Sequence, residues 1–400
     1  MKLTKNKLER YAEVLWWGLT TARKGKFKRG DIILLRFDLP ALPLAEVMHE
    51  KLLSLGMNVV PRALMNPTME RNFFRLANSK QLTFQVPGER ELYEALNGGV
   101  YLYAPADLRH LKDIDPKKIG KATVSKKYLR DILNKREEKG LFGWTLCLFP
   151  TEALAKEASL SLEEYEAQVI KACYLDKRDP TAHWRAIHKE ATAIKKWLNA
   201  MPVQELHVES ENIDLRITPG EQRRWVGISG HNIPSFELFI SPDWRGTEGI
   251  YYANQPSYRT GNYVEGVKLL FKRGRVTRAY AEKGQDFLVR QIGMDKGARR
   301  VGEFSLTDKR FSRIDRFMAN TLYDENYGGA YGNCHLALGA SYSDTYAGDP
   351  SRLTPKKKEQ LGFNDSALHW DLINTEKKRV TAHLKGGKKT VIYENGKFKY

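Results

Sequence analysis

The spacing of apolar residues changes near the middle of the chain. In residues 1–200, short apolar runs alternate with stretches in which apolar residues recur every three or four positions. From about residue 203, apolar and polar residues alternate with a period of two. These are the periods of helices and strands, so the sequence predicts an α/β domain at 1–200 and a β-rich domain of α+β character at 201–400.

The first half is predicted to contain strands joined by helices. An N-terminal helix is indicated by Leu8, Tyr11, Leu15 and Leu19. Further helices are predicted at residues 41–56, 159–175 and 180–201. The predicted strands are DIILLRFD (31–38), MNVVPRAL (57–64), GGVYLYAP (98–105) and GWTLCLFPT (143–151). Because a helix of this length between two strands usually joins a parallel pair, we expect a partly parallel sheet.

The second half is predicted to consist mainly of strands separated by turns. The strand candidates are ELHVES (205–210), NIDLRITP (212–219), RRWVGISG (223–230), FELFISP (236–242), VEGVKLLFKRG (264–274) and RVTRAYAEKG (275–284). KRGR at 272–275 has the composition of a tight hairpin turn.

The composition is that of a folded globular protein. Of the 400 residues, 42% are hydrophobic and 28% are charged, which argues against extensive disorder. The apolar runs are far shorter than the roughly 18 residues that a membrane-spanning helix requires, and the basic N-terminus lacks the apolar segment of a signal peptide. Three cysteines, Cys147, Cys173 and Cys334, do not make a disulfide framework. We therefore expect a cytoplasmic protein without a membrane partner.

The net charge of +18 suggests a nucleic-acid partner. The excess is +11 in residues 1–200 (35 Lys and Arg, 24 Asp and Glu) and +7 in residues 201–400 (31 and 24). It is spread over both halves, without a basic tail, a zinc finger or an RNA-binding signature. Binding of nucleic acid or of an acidic partner is therefore kept only as an alternative.

Residues suited to metal coordination recur beside apolar strand sequence in the second half. They lie in NIPSFELFISP (232–242), RRVGEFS (299–305), DENYGGAYGNCHLALG (324–339) and ALHWDLI (367–373). The candidate ligands are Glu237, Glu303, Glu325, His335, His369 and Asp371. An ionised carboxylate in an apolar setting needs a positive partner, and a shared cation would supply it. Taken singly, each residue also fits a structural role, so it is their joint occurrence that indicates a metal site.

The types and spacing of these residues also indicate the kind of site. His369 and Asp371 are two positions apart, so both side chains lie on one face of a strand. Carboxylates with two imidazoles favour zinc, cobalt, manganese or magnesium. The set is larger than one ion needs, so we expect two divalent metal ions that share a bridging carboxylate. A dinuclear phosphoesterase would use a similar set and remains an alternative.

Four motifs together resemble those of a known enzyme family. They are N-x-P-x-x-E-x-F-x-x-P at Asn232–Pro242, the pair Gly302 and Glu303 after ARRV, TLYDEN (321–326) followed by CHLALGASY (334–342), and H-x-D at His369 and Asp371. In these motifs the sequence resembles the thermophilic-type metallo-aminopeptidases, which include aminopeptidase T and aminopeptidase S. Looser similarity covers most of the chain.

The resemblance implies that the six candidates are metal ligands and that Tyr342 is a catalytic tyrosine. It implies a homodimer of two-domain protomers that removes the N-terminal residue from peptides with a free N-terminus. In the mechanism that we expect, a metal-activated water attacks the peptide carbonyl and Glu303 transfers its proton to the leaving amine. Tyr342 would donate a hydrogen bond to the oxyanion.

Overall fold

The computed structural model describes residues 3–259 and 262–400, which form two compact units. The first unit comprises the chain up to Trp184 together with Ser229–Pro234, and the second comprises Arg185–Ile228 with Ser235–Tyr400. The helices are α1 (Lys5–Ala22), α2 (Leu42–Ser54), α3 (Pro67–Leu76), α4 (Ser79–Leu82), α5 (Glu89–Ala95), α6 (Pro116–Ser125), α7 (Lys127–Glu138), α8 (Glu152–Glu157), α9 (Leu162–Ala172), α10 (Pro180–Ala200), α11 (Gln285–Ile292), α12 (Thr321–Asp324) and α13 (Pro355–Gln360).

The strands are numbered along the whole chain in the same way. They are β1 (Ile32–Phe37), β2 (Asn58–Ala63), β3 (Gly98–Tyr103), β4 (Gly143–Leu148), β5 (Val203–Glu209), β6 (Asp214–Ile217), β7 (Asn232–Ile233), β8 (Glu237–Ile240), β9 (Glu248–Ala253), β10 (Ser257–Arg259), β11 (Asn262–Val264), β12 (Val267–Lys272), β13 (Arg275–Tyr280), β14 (Val301–Thr307), β15 (Asn333–Gly339), β16 (His369–Asn374), β17 (Arg379–Leu384), β18 (Lys389–Glu394) and β19 (Lys397–Phe398).

The first unit is built on a parallel sheet with the strand order β2, β1, β3, β4, β7. Gly18 of α1 packs against Thr145 of β4, while the adjacent Trp144 joins a cluster formed with α5 and α7. Because successive strand residues point to opposite faces, helices cover both sides of the sheet. Burial on both faces explains the unbroken apolar run of β1. The predicted parallel pairing around residues 31–64 is confirmed.

The second unit is built on antiparallel sheets. The larger has the order β13, β12, β9, β6, β5, β17, β18, β19, and a smaller one has the order β16, β15, β14, β8. The predicted hairpin between β12 and β13 is present. Arg273 and Gly274 at its turn have φ values of 48° and 71°, as the favoured two-residue hairpin turns require.

The predicted strand at residues 223–230 is wrong. Arg223 and Val226 make only isolated bridges, and Gly227 and Ile228 have φ values of 129° and 48°. Such values break an extended strand. A Cβ on Gly227 would lie 2.1 Å from the carbonyl oxygen of Glu237, so this glycine lets the segment pass close to β8.

Among the described residues, no helix has both the length and the apolar character needed to cross a lipid bilayer.

Candidate metal centre

The smaller antiparallel sheet of the second unit carries five of the six predicted ligands. Glu237 begins β8, and Glu303 lies in β14. His335 lies in β15, and His369 and Asp371 lie in β16. Because these four strands are neighbours in the sheet, segments far apart in sequence deliver their side chains to one region.

The register of strand pairing places these side chains on one face of the sheet. Glu237 lies opposite Thr307 of β14, and His335 lies opposite Ser305 of the same strand. Both partners are an even number of positions from Glu303. Since facing residues and residues two apart point the same way, all three candidate ligands lie on one face. In the pairing of β15 with β16, Asp371 and His369 lie opposite residues two and four positions after His335, so they lie on the same face.

His335 lies at the centre of the cluster. Its Nε2 is 3.1 Å from Oε1 of Glu303 and 3.3 Å from Oε2 of Glu237. Oδ1 of Asp371 lies 3.8 Å from the same nitrogen. The His335 side chain is only 1% exposed, so three carboxylates and one imidazole nitrogen share a space from which water is largely excluded.

His369 is oriented by the backbone. Its Nδ1 lies 2.9 Å from the carbonyl oxygen of Ala340, which directs Nε2 toward Oδ1 of Asp371 at 3.3 Å and Oε2 of Glu303 at 3.8 Å. A hydrogen bond from the second ring nitrogen to a carbonyl is the usual way of orienting a metal-binding histidine.

Glu325 joins the cluster from outside the sheet, directly after α12. Its carbonyl oxygen accepts hydrogen bonds from Oγ1 of Thr307 at 3.1 Å and from Nδ2 of Asn333 at 3.0 Å. Burial, followed by the charges of Glu237 and Asp371, raises the pKa of the Glu325 carboxyl well above its ordinary value. The structure therefore places this carboxylate within electrostatic range of the others.

The pKa values of the cluster reflect an excess of negative charge. Burial, opposed by the charge of His335 and reinforced by the charge of Glu303, raises the pKa of Glu237 to about 7. Burial opposes protonation of His335, but the hydrogen bond that its Nε2–H donates to Glu303 and the charges of the nearby carboxylates raise its pKa to about 9. For Asp371, burial is outweighed by the charge of His369, and the pKa is lowered.

This donor set fits a divalent cation. Four carboxylates and two imidazoles are buried together, and the cluster contains too few positive groups to offset the carboxylates. Carboxylate oxygen and imidazole nitrogen are common ligands of zinc and related ions. Nδ1 of His335 is buried and has no hydrogen-bond partner among the described residues. Such an orphaned buried nitrogen is uncommon and marks this centre as one whose polar groups the protein itself does not fully satisfy.

Tyr342 lies beside this cluster. Its ring centroid is 4.7 Å from that of His369, and its backbone N–H donates to Oγ of Ser241 at 2.8 Å. The residue is 45% exposed. Burial of the hydroxyl and the charges of Glu303 and Asp371 nevertheless raise its pKa well above the ordinary value. Tyr342 thus remains a protonated hydrogen-bond donor at neutral pH, next to the candidate ligands and reachable from solvent.

Three residues that contact the cluster were not identified from the sequence. Oγ of Ser305 donates to Oε2 of Glu237 at 2.9 Å, and its position two after Glu303 in a strand was a usable signal. Nη1 of Arg259 donates to the carbonyl oxygen of His369 at 2.8 Å. The side chain of Asn326 lies 3.5 Å from Oε1 of Glu325. Asn326 ends the TLYDEN motif directly after Glu325, whereas no local pattern identifies Arg259.

The end of β15 depends on Gly339, which has a φ of 104° and meets the segment before β16. A Cβ on Gly339 would lie 2.0 Å from the carbonyl oxygen of Leu368. We expect Gly339→Ala to lower the free energy of unfolding by more than about 2 kcal/mol, because backbone strain and the overlap add. Gly386→Ala is the control, since Gly386 has a φ of 87° but no atom within 4 Å of its added Cβ. Equal urea midpoints for the two variants would contradict the proposed close approach.

Similarity to known proteins extends over most of the chain. Residues 4–398 match the family described as thermophilic metalloprotease (M29). The sequence is 28% identical over 311 residues to aminopeptidase T of Thermus thermophilus, covering 73% of this chain and 74% of that protein. It is 29% identical over 310 residues to aminopeptidase 2 of Geobacillus stearothermophilus, covering 72% and 73%. The solved structure of wild-type AmpT from Thermus thermophilus shares the fold, with a TM-score of 0.81, 22% identity and coverage of 99% of this chain and 100% of that one.

Proposed function

Because the chain belongs to the thermophilic metalloprotease (M29) family, it is a metal-dependent aminopeptidase, a hydrolase acting on peptide bonds, and we propose that its active site is the cluster around His335. The observation that carries this assignment is the convergence of His335 on carboxylates from neighbouring strands, with Glu303 3.1 Å and Glu237 3.3 Å from its Nε2.

We propose that the cluster holds two divalent cations. The proposed ligands are those predicted from the sequence: Glu237, Glu303, Glu325, His335, His369 and Asp371. Six side chains with four carboxylates exceed the needs of one four-coordinate ion, which supports a dinuclear site. Zinc, cobalt, manganese and magnesium are the candidate metals. A divalent cation supplies Lewis acidity, which lowers the pKa of a water molecule and polarises a peptide carbonyl.

Two residues of the chain are proposed to act on the substrate. The Glu303 carboxylate lies between the two histidines, 3.1 Å from Nε2 of His335 and 3.8 Å from Nε2 of His369. In this position it accepts a proton from the attacking water and delivers it to the leaving amine. Tyr342, beside His369, donates its O–H to the oxygen of the scissile carbonyl as negative charge develops there.

The substrates proposed are peptides with a free N-terminus. The same proposal includes a cytoplasmic location and a homodimer of protomers with an N-terminal α/β domain and a C-terminal catalytic domain. Support for a reducing compartment comes from Cys147, Cys173 and Cys334, which are buried free thiols. The homodimer rests on the family resemblance, and sedimentation of the purified protein would test it.

Removal of metal tests the proposed function directly. Chelation is expected to abolish release of the N-terminal residue from a mixed peptide set, and re-addition of one of zinc, cobalt, manganese or magnesium is expected to restore it. Products are followed by mass spectrometry, which distinguishes trimming one residue at a time from internal cleavage. A phosphate ester serves as a second substrate.

The matched variants are two histidine substitutions in the second unit. His335→Gln should remove both activity and tightly bound metal, whereas His383→Gln, in β17 outside the cluster, should retain both. A folded protein that trims no peptide with any metal, or that cleaves only the phosphate ester, would overturn the assignment.

A further inference from the structure

The parallel sheet of the first unit carries a cavity of about 390 Å³ that the proposed chemistry does not use. Its walls come from the carboxyl ends of β1 and β3, from β4, and from α7. Small-molecule sites commonly have volumes of about 300–1,000 Å³. The cavity therefore has room for a small ligand.

Its position in the sheet is one at which ligands commonly bind. β1 is flanked by β2 on one side and by β3 on the other. The chain therefore connects β1 to a neighbour on one side and then places the following strands, beginning with β3, on the other side. In open sheets with helices on both faces, such a reversal of strand order creates a crevice at the carboxyl ends of the central strands. Arg36 at the end of β1 and Tyr101 near the end of β3 both line the cavity.

Two arginines provide positive charge at this cavity. Arg36 and Arg130 line it, and neither has an ion-pair partner within residues 3–259 and 262–400. The guanidinium of Arg36 lies 5.6 Å from the ring centroid of Tyr101. Guanidinium groups are well suited to binding carboxylates and phosphates. The arginines therefore favour a ligand with an anionic group.

Two carboxylates provide negative charge at the same cavity. Asp38 accepts the backbone N–H of Ala104 through Oδ2 at 2.7 Å, and Oε1 of Glu137 lies 2.8 Å from Nε2 of His231. The other oxygen of each carboxylate has no hydrogen-bond partner among the described residues. The positive charges of the two guanidinium groups and the negative charges of the two carboxylates cancel. The carboxylates would repel a phosphate dianion, whereas a ligand with one positive and one negative group can pair with both kinds of side chain.

Aromatic side chains complete the cavity. Tyr101 and Trp144, with ring centroids 6.3 Å apart, lie on the face of the sheet covered by α7, and Tyr103 follows Tyr101 on that face two positions later. Aromatic rings offer a large apolar contact area. The apolar part of the ligand is therefore expected to be aromatic or a large aliphatic group.

We propose that this cavity binds a free α-amino acid with a large apolar side chain. Arg36 and Arg130 bind its carboxylate, Asp38 and Glu137 bind its ammonium group, and Trp144 packs against its side chain. Such amino acids are also products of the proposed peptidase activity, but the site lies apart in sequence from the His335 cluster and its occupation does not depend on turnover.

Calorimetric titration of the full-length protein with L-phenylalanine tests this proposal. We expect saturable binding, at least about tenfold weaker in Arg36→Gln and in Arg130→Gln, because a charged hydrogen bond commonly contributes this much. Asn134→Trp, a substitution at an exposed position of α7 that lines the cavity, should block binding sterically. Arg75→Gln, on α3, is the control and should bind normally.

Two further arms separate this site from the active site and from simpler ligands. Binding should persist in His335→Gln, and it should weaken at least about tenfold for phenylalaninamide and for 3-phenylpropionate, which each lack one charged group. The proposal is overturned by an absence of binding at millimolar phenylalanine, by binding that requires His335 and not Arg36, or by equal affinity for 3-phenylpropionate. Failure of peptide trimming alone would leave these results unchanged.

Discussion

Replacement of Glu303 by glutamine is expected to lower kcat for peptide hydrolysis by about 10²–10⁴, the usual contribution of a general acid and base. The amide keeps the size of the side chain but cannot accept the proton. Glu303 is 3% exposed and contacts His335. The substitution removes repulsion from Glu237 and Glu325 but also the ionic attraction to His335, and the amide oxygen can still accept the hydrogen bond from His335. We therefore expect the melting temperature to change little, so that loss of activity does not reflect unfolding.

The kcat should be measured with each candidate metal at saturation, together with the bound metal content. Glu211→Gln is the matched control, because Glu211 is an exposed carboxylate of the second unit and its loss should change neither quantity. Full activity of the Glu303→Gln enzyme at saturating metal would show that Glu303 neither transfers the proton nor provides an essential ligand.

Replacement of Tyr342 by phenylalanine is expected to lower kcat by about 10²–10³, the typical effect of removing one oxyanion donor. KM should change little, because the hydrogen bond forms mainly in the transition state. The Tyr342 hydroxyl makes no hydrogen bond with another described residue, so the substitution should leave the free energy of unfolding unchanged.

Metal content separates this role from a structural one. Tyr342→Phe should bind metal as the wild-type protein does, whereas the ligand variant His335→Gln should not. Tyr280→Phe is the control, since Tyr280 is 59% exposed on β13 and should have normal kinetics. A Tyr342→Phe enzyme with normal kcat, or one that loses metal, would refute the proposed interaction with the oxyanion.

Local patterns in the sequence predicted helices and strands well where burial of one face sets the spacing of apolar residues. The period of two in ALHWDLI indicated that His369 and Asp371 share a face, and both lie in β16. Cys334 and His335 are adjacent in β15 and therefore point to opposite faces of the sheet. The assignment of the six residues as metal ligands stays a prediction, although the structure brings them together.

Pairing between distant segments could not be predicted in the same way. Asn232 and Ile233 were placed in the same predicted segment as Glu237, yet they form β7 and pair in parallel with β4. Arg259 reaches the cluster from β10, and nothing in the neighbouring sequence indicates this. Such contacts depend on the arrangement of whole strands, whereas periodicity reports only which face of its own element a residue occupies.

The candidate metal cluster can be completed only late in synthesis of the chain, because its ligands come from strands that are far apart in sequence. β8 leaves the ribosome long before β16, and His369 and Asp371 can complete the cluster only when β16 pairs with β15. A chain released before residue 369 would lack both candidate ligands of β16 and would leave the edge of β15 unpaired. Such prematurely ended chains are expected to be degraded by cellular proteases, so that errors of translation do not leave partly active peptidase in the cell.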